Sequence, residues 1–305
     1  MARARIRRSS VALAAVVAVT VAGCGVKAGT GGADGALGGK TTVEAGAFEG
    51  SKGASFLNQV ASTTAKVETL RVSMEIKVDV GGQSVGTKAS GDFDNPRHRG
   101  HLTMDMGDIL GADTGSGGNA SIEEVVDGST IYMRAPMLSG LSGSKKPWIK
   151  VDASGLVGGA TDLGTTDPSA FLAYLESAGG KVTTVGKEDV RGTSTTHVRT
   201  SVDLADMAAK VGKGRSQKLL DQLGVDAKDF GSVPVDAWIG DDGYVRKVTL
   251  SYDTSKLGTG LGSGTSSVTI EMYDFNEPVD ITIPPASQVT TVDPSDLGGP
   301  FGHGN

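Results

Sequence analysis

Residues 69–80 read Thr69-Leu-Arg-Val-Ser-Met-Glu-Ile-Lys-Val-Asp-Val80. Val72, Met74, Ile76, Val78 and Val80 alternate with Ser73, Glu75, Lys77 and Asp79, a period of two. In an extended chain successive side chains point to opposite faces, so this stretch predicts a strand with one greasy face and one wet face. Gly81-Gly82 supplies two residues able to take positive φ, which predicts a tight hairpin into a second strand over 83–93. Asn95-Pro96 then turns the chain into 97–106, where Leu102, Met104 and Met106 alternate.

The same grammar continues outward. Residues 120–127 and 129–135 flank Asp127-Gly128, and 147–152 (Pro-Trp-Ile-Lys-Val-Asp) is a short strand. Lys181–Asp189 and Thr193–Val202 flank Arg191-Gly192; Pro234–Gly240 and Tyr244–Asp253 flank Asp241-Asp242-Gly243; Ser266–Phe275 follows. That is about eleven strands, mostly joined by tight turns and therefore antiparallel. Three stretches change period. In 53–68, Phe56, Leu57, Val60, Thr64 and Val67 fall at helical intervals. Asp167-Pro168 opens a helix that Gly179 ends, with Phe171, Leu172 and Leu175 as its apolar stripe. Residues 203–223 carry Leu204, Met207, Val211, Leu219, Leu220 and Leu223, with Gly212 and Gly214 breaking the run in two. A long antiparallel sheet needs cover on its apolar face, and strands twist. The expectation is an α+β fold: a curved antiparallel half-barrel with about three helices on its concave side.

Around this body the chain divides into four. Residues 1–8, MARARIRR, hold four Arg and no acid, and Val11–Ala22 is a 12-residue apolar run. As a helix it would rise about 18 Å, too short to span a bilayer and the right length for a signal peptide over 1–23. It ends Val21-Ala-Gly-Cys24, and Cys24 is the only cysteine. This tetrad is similar to the bacterial lipobox, which implies that Cys24 is lipidated and becomes the new N-terminus. Residues 24–50, rich in Gly, Ala and Thr, read as a tether spanning about 25–30 Å. The lipoprotein domain proper is expected over 51–290 and a disordered tail over 291–305.

Composition narrows the function classes. The 305 residues carry Lys+Arg 29 against Asp+Glu 35, so the chain has no nucleic-acid footprint. Without residues 1–23 and their four Arg, 25 basic residues face 35 acids, a net charge of −10. Anionic lipid would not attract such a body; acyl chains on Cys24 would hold it. One Cys excludes an intramolecular disulfide and a Cys-based metal cluster.

No catalytic constellation emerges. His98 and His101 fall on opposite faces of an extended segment, His197 reads as a sheet-surface residue, and His303 is in the tail. Gly38-Gly-Lys-Thr41 lacks the first glycine and the preceding strand of a phosphate loop, and Asp229-Phe-Gly231 lacks the rest of a kinase. Asp241-Asp-Gly243 is a turn, without the acids of a calcium loop. The chain is expected to be no enzyme, to hold no metal or cofactor, and to be a monomer.

With the pieces in order, the chain resembles the LolA-like lipoproteins, and within them the actinobacterial LppX/LprG type. The resemblance rests on the lipobox Val21–Cys24, helix Phe56–Val67, strand Val72–Val80 and the step Gly91-Asp-Phe-Asp-Asn-Pro-Arg97. It also rests on the pair Val126–Met133 and Pro147–Asp152, the hairpin Val235–Tyr252, and Ile281–Pro284 closing the domain. It implies a U-shaped half-barrel that binds acyl chains or acylated glycans and moves them between membrane layers. The Gly-rich insertions 107–119, 139–166 and 254–266 depart from the pattern.

Independently, methionine adapts to irregular apolar contents, and Met74, Met104, Met106 and Met133 fall in predicted strands. The residues expected to line an apolar hollow are Val72, Met74, Ile76, Val78, Leu102, Met104, Met106, Ile131, Met133, Phe171, Leu172, Leu175, Leu220, Val248 and Leu250. The expected protein sits on the outer face of the cytoplasmic membrane and carries a lipid or another hydrophobic ligand. The alternative is a sensor or scaffold lipoprotein touching a membrane partner or a cell-wall polymer.

Overall fold

The computed structural model describes residues 47–48, 51–64, 66–106, 121–135, 145–152, 182–203, 231–254 and 264–293. Within them lie β1 (Ala47–Phe48), α1 (Ser51–Thr64), β2 (Thr69–Val80), β3 (Gln83–Asp94), β4 (Arg99–Asp105), β5 (Ser121–Asp127) and β6 (Thr130–Arg134). After these come β7 (Trp148–Asp152), β8 (Val182–Val190), β9 (Thr193–Asp203), β10 (Ser232–Gly240), β11 (Val245–Asp253), β12 (Gly264–Tyr273), a 3₁₀ turn (Ala286–Gln288) and β13 (Val289–Thr291). The eleven expected strands are β2 to β12. Two short edge strands add to them, and one of these corrects the sequence reading. Ala47 and Phe48, assigned to the tether, pair with Thr183 and Val182. At the other end β13 runs parallel to β7, with Val289 opposite Trp148, and takes in Thr291 from the expected tail.

All thirteen strands form one sheet in the order β1-β8-β9-β10-β11-β12-β2-β3-β4-β5-β6-β7-β13. Apart from the β7–β13 pair, every neighbour is antiparallel. The two edges do not meet, so the sheet stays unclosed. It is strongly curved. Arg191, in the β8–β9 turn, donates to Glu271 on β12 at 2.9 Å and lies 3.9 Å over the Tyr273 ring. In a flat sheet three strand spacings, about 14 Å, would separate β9 from β12.

The turns follow the sequence. Gly81 and Gly82 have φ of 61° and 81°, the type I′ geometry whose twist matches the flanking strands. The β8–β9 turn takes the same shape with Arg191 at 50° and Gly192 at 78°. Arg191 tolerates the left-handed conformation while Glu271 and Tyr273 hold its side chain.

One α-helix is present among the described residues; the helices expected over 167–179 and 203–223 lie outside them. Helix α1 buries Phe56, Leu57, Val60 and Thr64, as its periodicity predicts. It ends at Thr64 instead of reaching Val67. The NH groups of Lys66 and Val67 bond to the carbonyls of Thr63 and Thr64, three residues back, which tightens the last turn before β2. Asn95 then donates from its backbone NH to the Glu68 carbonyl and from its side chain to the Val67 carbonyl, 2.8 Å each. Asn276 accepts from the Glu68 NH at 2.9 Å and donates to the Thr69 carbonyl. These bonds fix where α1 hands over to β2. Ile281–Pro284, expected to close the domain, forms no strand.

The core cluster joins Phe56, Leu57 and Val60 of α1 to Leu70 and Val72 of β2, Phe93 of β3, Val182 of β8 and Val198 of β9. Val235, Ala237 and Ile239 of β10, Val245 and Val248 of β11, and Met272 of β12 complete it. The helix therefore packs on one face of the sheet, across the β8–β12 half and the adjoining ends of β2 and β3.

Candidate ligand-binding face

Directly opposed residues in paired strands share a face. Starting from Val72, Met74, Ile76 and Val78 on β2, the register leads one way to Met272, Ile270, Val268 and Ser266 on β12, then to Val248 and Leu250 on β11. The other way it leads to Gly91, Ala89, Thr87 and Val85 on β3, and to Leu102 and Met104 on β4. From there it reaches Ile122, Glu124 and Val126 on β5, Met133 and Ile131 on β6, and Ile149 and Val151 on β7. Met106, one residue beyond β4, lies 4.0 Å by its sulfur from the Thr87 hydroxyl, on the same side. All eleven described residues expected to line a hollow thus stand on one face of one sheet. Phe171, Leu172, Leu175 and Leu220 lie outside the described residues.

Coverage of this face is uneven. Val72, Met106, Ile131 and Val248 are buried. Met74, Ile76, Val78, Leu102, Met104, Met133 and Leu250 are only half-buried, and Val85 is 43% exposed. On β2, β4, β5 and β6 part of the apolar face is lined by aliphatic and thioether groups that are only half-buried, whereas Ala89 and Thr87 between them on β3 are buried and Leu102 packs against the core cluster.

Glu124 interrupts that lining. It stands between Leu102 and Met133 across the strands and between Ile122 and Val126 along its own. No hydrogen bond or ion pair reaches its carboxylate among the described residues, and burial pushes its pKa above the ordinary carboxylate value. Sequence reading passed over it. The signal was there in Ile122-x-Glu124-x-Val126, an acid at an apolar position of an alternating strand.

The opposite face carries most of the sheet's charge, together with buried Val125, Trp148 and Trp238. Arg71 binds Asp92 and Asp274 at 3.1 and 2.6 Å, Arg99 binds Asp127 at 2.8 Å, and Glu75 lies between Lys77 and Lys88. Glu123 takes His101 Nε2 at 3.0 Å and also Arg134. His197 is on this face as expected, yet it is 5% exposed, so it is a covered residue and not a solvated one. Its ring stacks on Trp238 with centroids 4.3 Å apart, and its nitrogens meet Glu188 Oε1 at 2.9 Å and Asp236 Oδ1 at 2.6 Å. Trp238 Nε1 donates to Glu188 Oε2 at 2.7 Å. The Trp238 and His197 hydrogen bonds hold the Glu188 carboxyl below its ordinary pKa. The cluster ties β8, β9 and β10 together through Glu188, His197, Asp236 and Trp238.

A cleft of about 320 Å³ opens beside the β8–β9 turn, lined by Val190, Arg191, Thr193, Arg246, Met272, Tyr273 and Asp274. Its two guanidinium groups are already engaged, Arg191 by Glu271 and Arg246 by Asp242. Such a polar rim does not suit acyl chains. Among the described residues no group of three His, Cys, Asp or Glu is placed to hold a metal ion. No described helix is long and apolar enough to cross a membrane.

No protein-family profile and no curated protein matches the chain. Among solved structures, the fold is similar to the Mycobacterium tuberculosis lipoprotein LppX, with 16% identity over 75% of this chain and 97% of that one, TM-score 0.47. It is similar to LprF of Mycobacterium bovis, 15% identical over 78% and 99% of the two chains, TM-score 0.44. A LolA superfamily protein of Nitrosomonas europaea, 9% identical over 74% and 93%, has a TM-score of 0.28. At TM-scores below 0.5 none of these likenesses carries a functional argument.

Proposed function

We propose that this protein is a lipid-anchored, non-enzymatic binding protein that takes acyl chains, or another hydrophobic ligand, onto the apolar face between β2 and β6. The observation that carries the reading is the incomplete packing of that face. Met74, Ile76, Val78, Leu102, Met104 and Met133 share one side of the sheet and remain half-buried, while α1 packs over the β8–β12 half. Apolar surface left in contact with water is a standing driving force for association, about 25 cal/mol per Å² covered. Contiguous patches of this kind mark ligand or partner sites.

The mechanism is passive. Each methylene that leaves water for the trough contributes about 0.8 kcal/mol, so an acyl chain needs no chemical step to enter. The charged opposite face keeps the loaded protein soluble. Acyl groups on Cys24 would hold the body at the outer face of the cytoplasmic membrane, and residues 25–46 would give it reach toward a second layer of the envelope. Carriage between such layers is the role that fits a tethered, energy-independent binder. The test is an organic extract of the detergent-free purified protein, read by mass spectrometry. Acyl species at near-stoichiometric amounts support the reading; clean extracts from repeated preparations overturn it.

A further inference from the structure

We propose that the β2–β3 end of the sheet is the surface on which the protein meets a phospholipid bilayer, and that an acyl chain passes there between membrane and trough. This rests on the reading of the protein as an acyl-chain binder held to a membrane through Cys24.

Packing along two paired strands gives the first observation. On β2, Leu70 and Val72 are buried in the core cluster, whereas Met74, Ile76 and Val78 are half-buried. On β3, Phe93, Ala89 and Thr87 are buried, and Val85 is 43% exposed. The apolar face is therefore stopped by core at the Leu70–Phe93 pair and opens to water at the Val78–Val85 pair. Among the described residues one other large apolar side chain is as exposed, Val185, and it stands apart on β8 as the extra residue of a bulge. Apolar surface left open at the end of a binding face is the kind that marks an interaction site.

Charge gives the second. Because neighbouring strands alternate in direction, the described turns sort to the two ends of the sheet. The β3–β4, β5–β6, β8–β9 and β10–β11 turns share the end away from Val85, and at or beside them stand Arg97, Asp127, Arg191, Asp241 and Asp242. The β2–β3 turn, Gly81-Gly82 followed by Gln83 and Ser84, lies at the other end and is uncharged. Lys77 and Asp79 alternate with Val78 and so point to the polar face. Charged groups lose hydration on entering lipid, whereas aliphatic groups gain by it. Where the chain outside the structure ends selects the partner. Residues 24–46 lead from the expected acylation site to Ala47 of β1, and a chain of that length spans about 25–30 Å. Such a tether keeps one bilayer at high effective concentration, whereas a second copy must be met by diffusion.

The experiment places the full chain on vesicles of phosphatidylcholine brominated along its acyl chains, with a fluorophore on one introduced thiol. Val85→Cys and Gln83→Cys report the proposed contact, and Glu277→Cys, beside the start of β2, reports the opposite end. Wild type taken through the same labelling gives the background from Cys24, and circular dichroism confirms that each variant is folded. Gln83 is exposed in the turn, so its variant keeps the test open if Val85→Cys does not fold. The expected result is loss of emission by quenching at positions 85 and 83 and none at 277. Calorimetry with monolauroylglycerol reads acyl binding by wild type separately. Quenching at 277 equal to or greater than that at 83 and 85 would overturn the assignment. So would a label at 85 that lipid does not quench, in a protein that sedimentation shows to be a dimer. If the labels at 83 and 85 stay unquenched while monolauroylglycerol binds, the bilayer contact falls and the trough stands. If they are quenched and no monolauroylglycerol binds, the trough is refuted, the passage of a chain falls with it, and the bilayer contact stands.

Discussion

Replacing Leu57 by Ala removes a side chain that is 1% exposed and packed within the cluster that joins α1 to β8–β12. A buried Leu→Ala change leaves a cavity the surroundings fill only in part and costs about 2–5 kcal/mol. Met74→Ala and Met104→Ala delete comparable apolar volume from the same face of the same sheet, but from half-buried positions. With their side chains only partly enclosed, the loss should be about 1 kcal/mol or less. Urea unfolding followed by far-ultraviolet circular dichroism measures all three, provided the slope stays that of wild type. Delipidated protein is required, because a bound chain would stabilise the trough residues by mass action. The expected pattern is a large shift in midpoint for Leu57→Ala and small ones for both methionine variants. Equal, large losses at all three positions would mean that the whole face is packed core, and the unfilled trough would have to be abandoned.

Three further outcomes follow from the same structure. Burial raises the Glu124 pKa, so the folded state holds its proton more tightly than the unfolded chain, and stability falls as pH rises from the unfolded value, about 4.3, through the folded one. Glu124→Gln should therefore be more stable than wild type at pH 7.5 and should lose that advantage near pH 4; an advantage that grows on acidification would contradict the sign. For Glu188 the sign is opposite, since its lowered pKa gives stability that is present above the unfolded value and lost as pH falls through the folded one. In a Trp148→Phe background, Trp238 emission should change on acidification below about pH 4, and Glu188→Gln should abolish that transition; an identical titration in both proteins would detach Trp238 from Glu188. Finally, Cys24→Ser should move the protein from the membrane fraction to the soluble fraction, and unchanged membrane retention would rule out Cys24 as the anchor.

Alternation was legible because it needs no tertiary information. In residues 69–80 the apolar set and the charged set are separated by the pleat alone, and the Gly81-Gly82 and Arg191-Gly192 turns fix the pairing that carries the face across neighbouring strands. The same alternation sets Leu102, Met104, Ile131 and Met133 on one side of the sheet. What the sequence hid was tertiary. Val67 has helical spacing from Phe56 and Val60, but the two bonds from Asn95, to the Val67 and Glu68 carbonyls, draw the chain out of the helix there, and both come from the far end of the β2–β3 hairpin. Ala47-Phe48 has tether composition and becomes a strand because the β8 edge lies open beside it. His197 looks like a surface residue by period, and the Trp238 ring from β10 stacks on it while Glu188 and Asp236 hold its nitrogens. Glu124 differs from these: its position was readable from Ile122 and Val126, and its lack of a partner was not.

The central claim is that an acyl chain lies on the face shared by β2, β4 and β6. A fatty acyl ester with a photoreactive diazirine in its chain, activated in complex with the protein and mapped by peptide mass spectrometry, tests it most directly. Labels concentrated on Met74, Ile76, Met104 and Met133 are the predicted result. Labels on Glu75, Lys77 and Lys88 of the opposite face, or spread evenly along the chain, would contradict it.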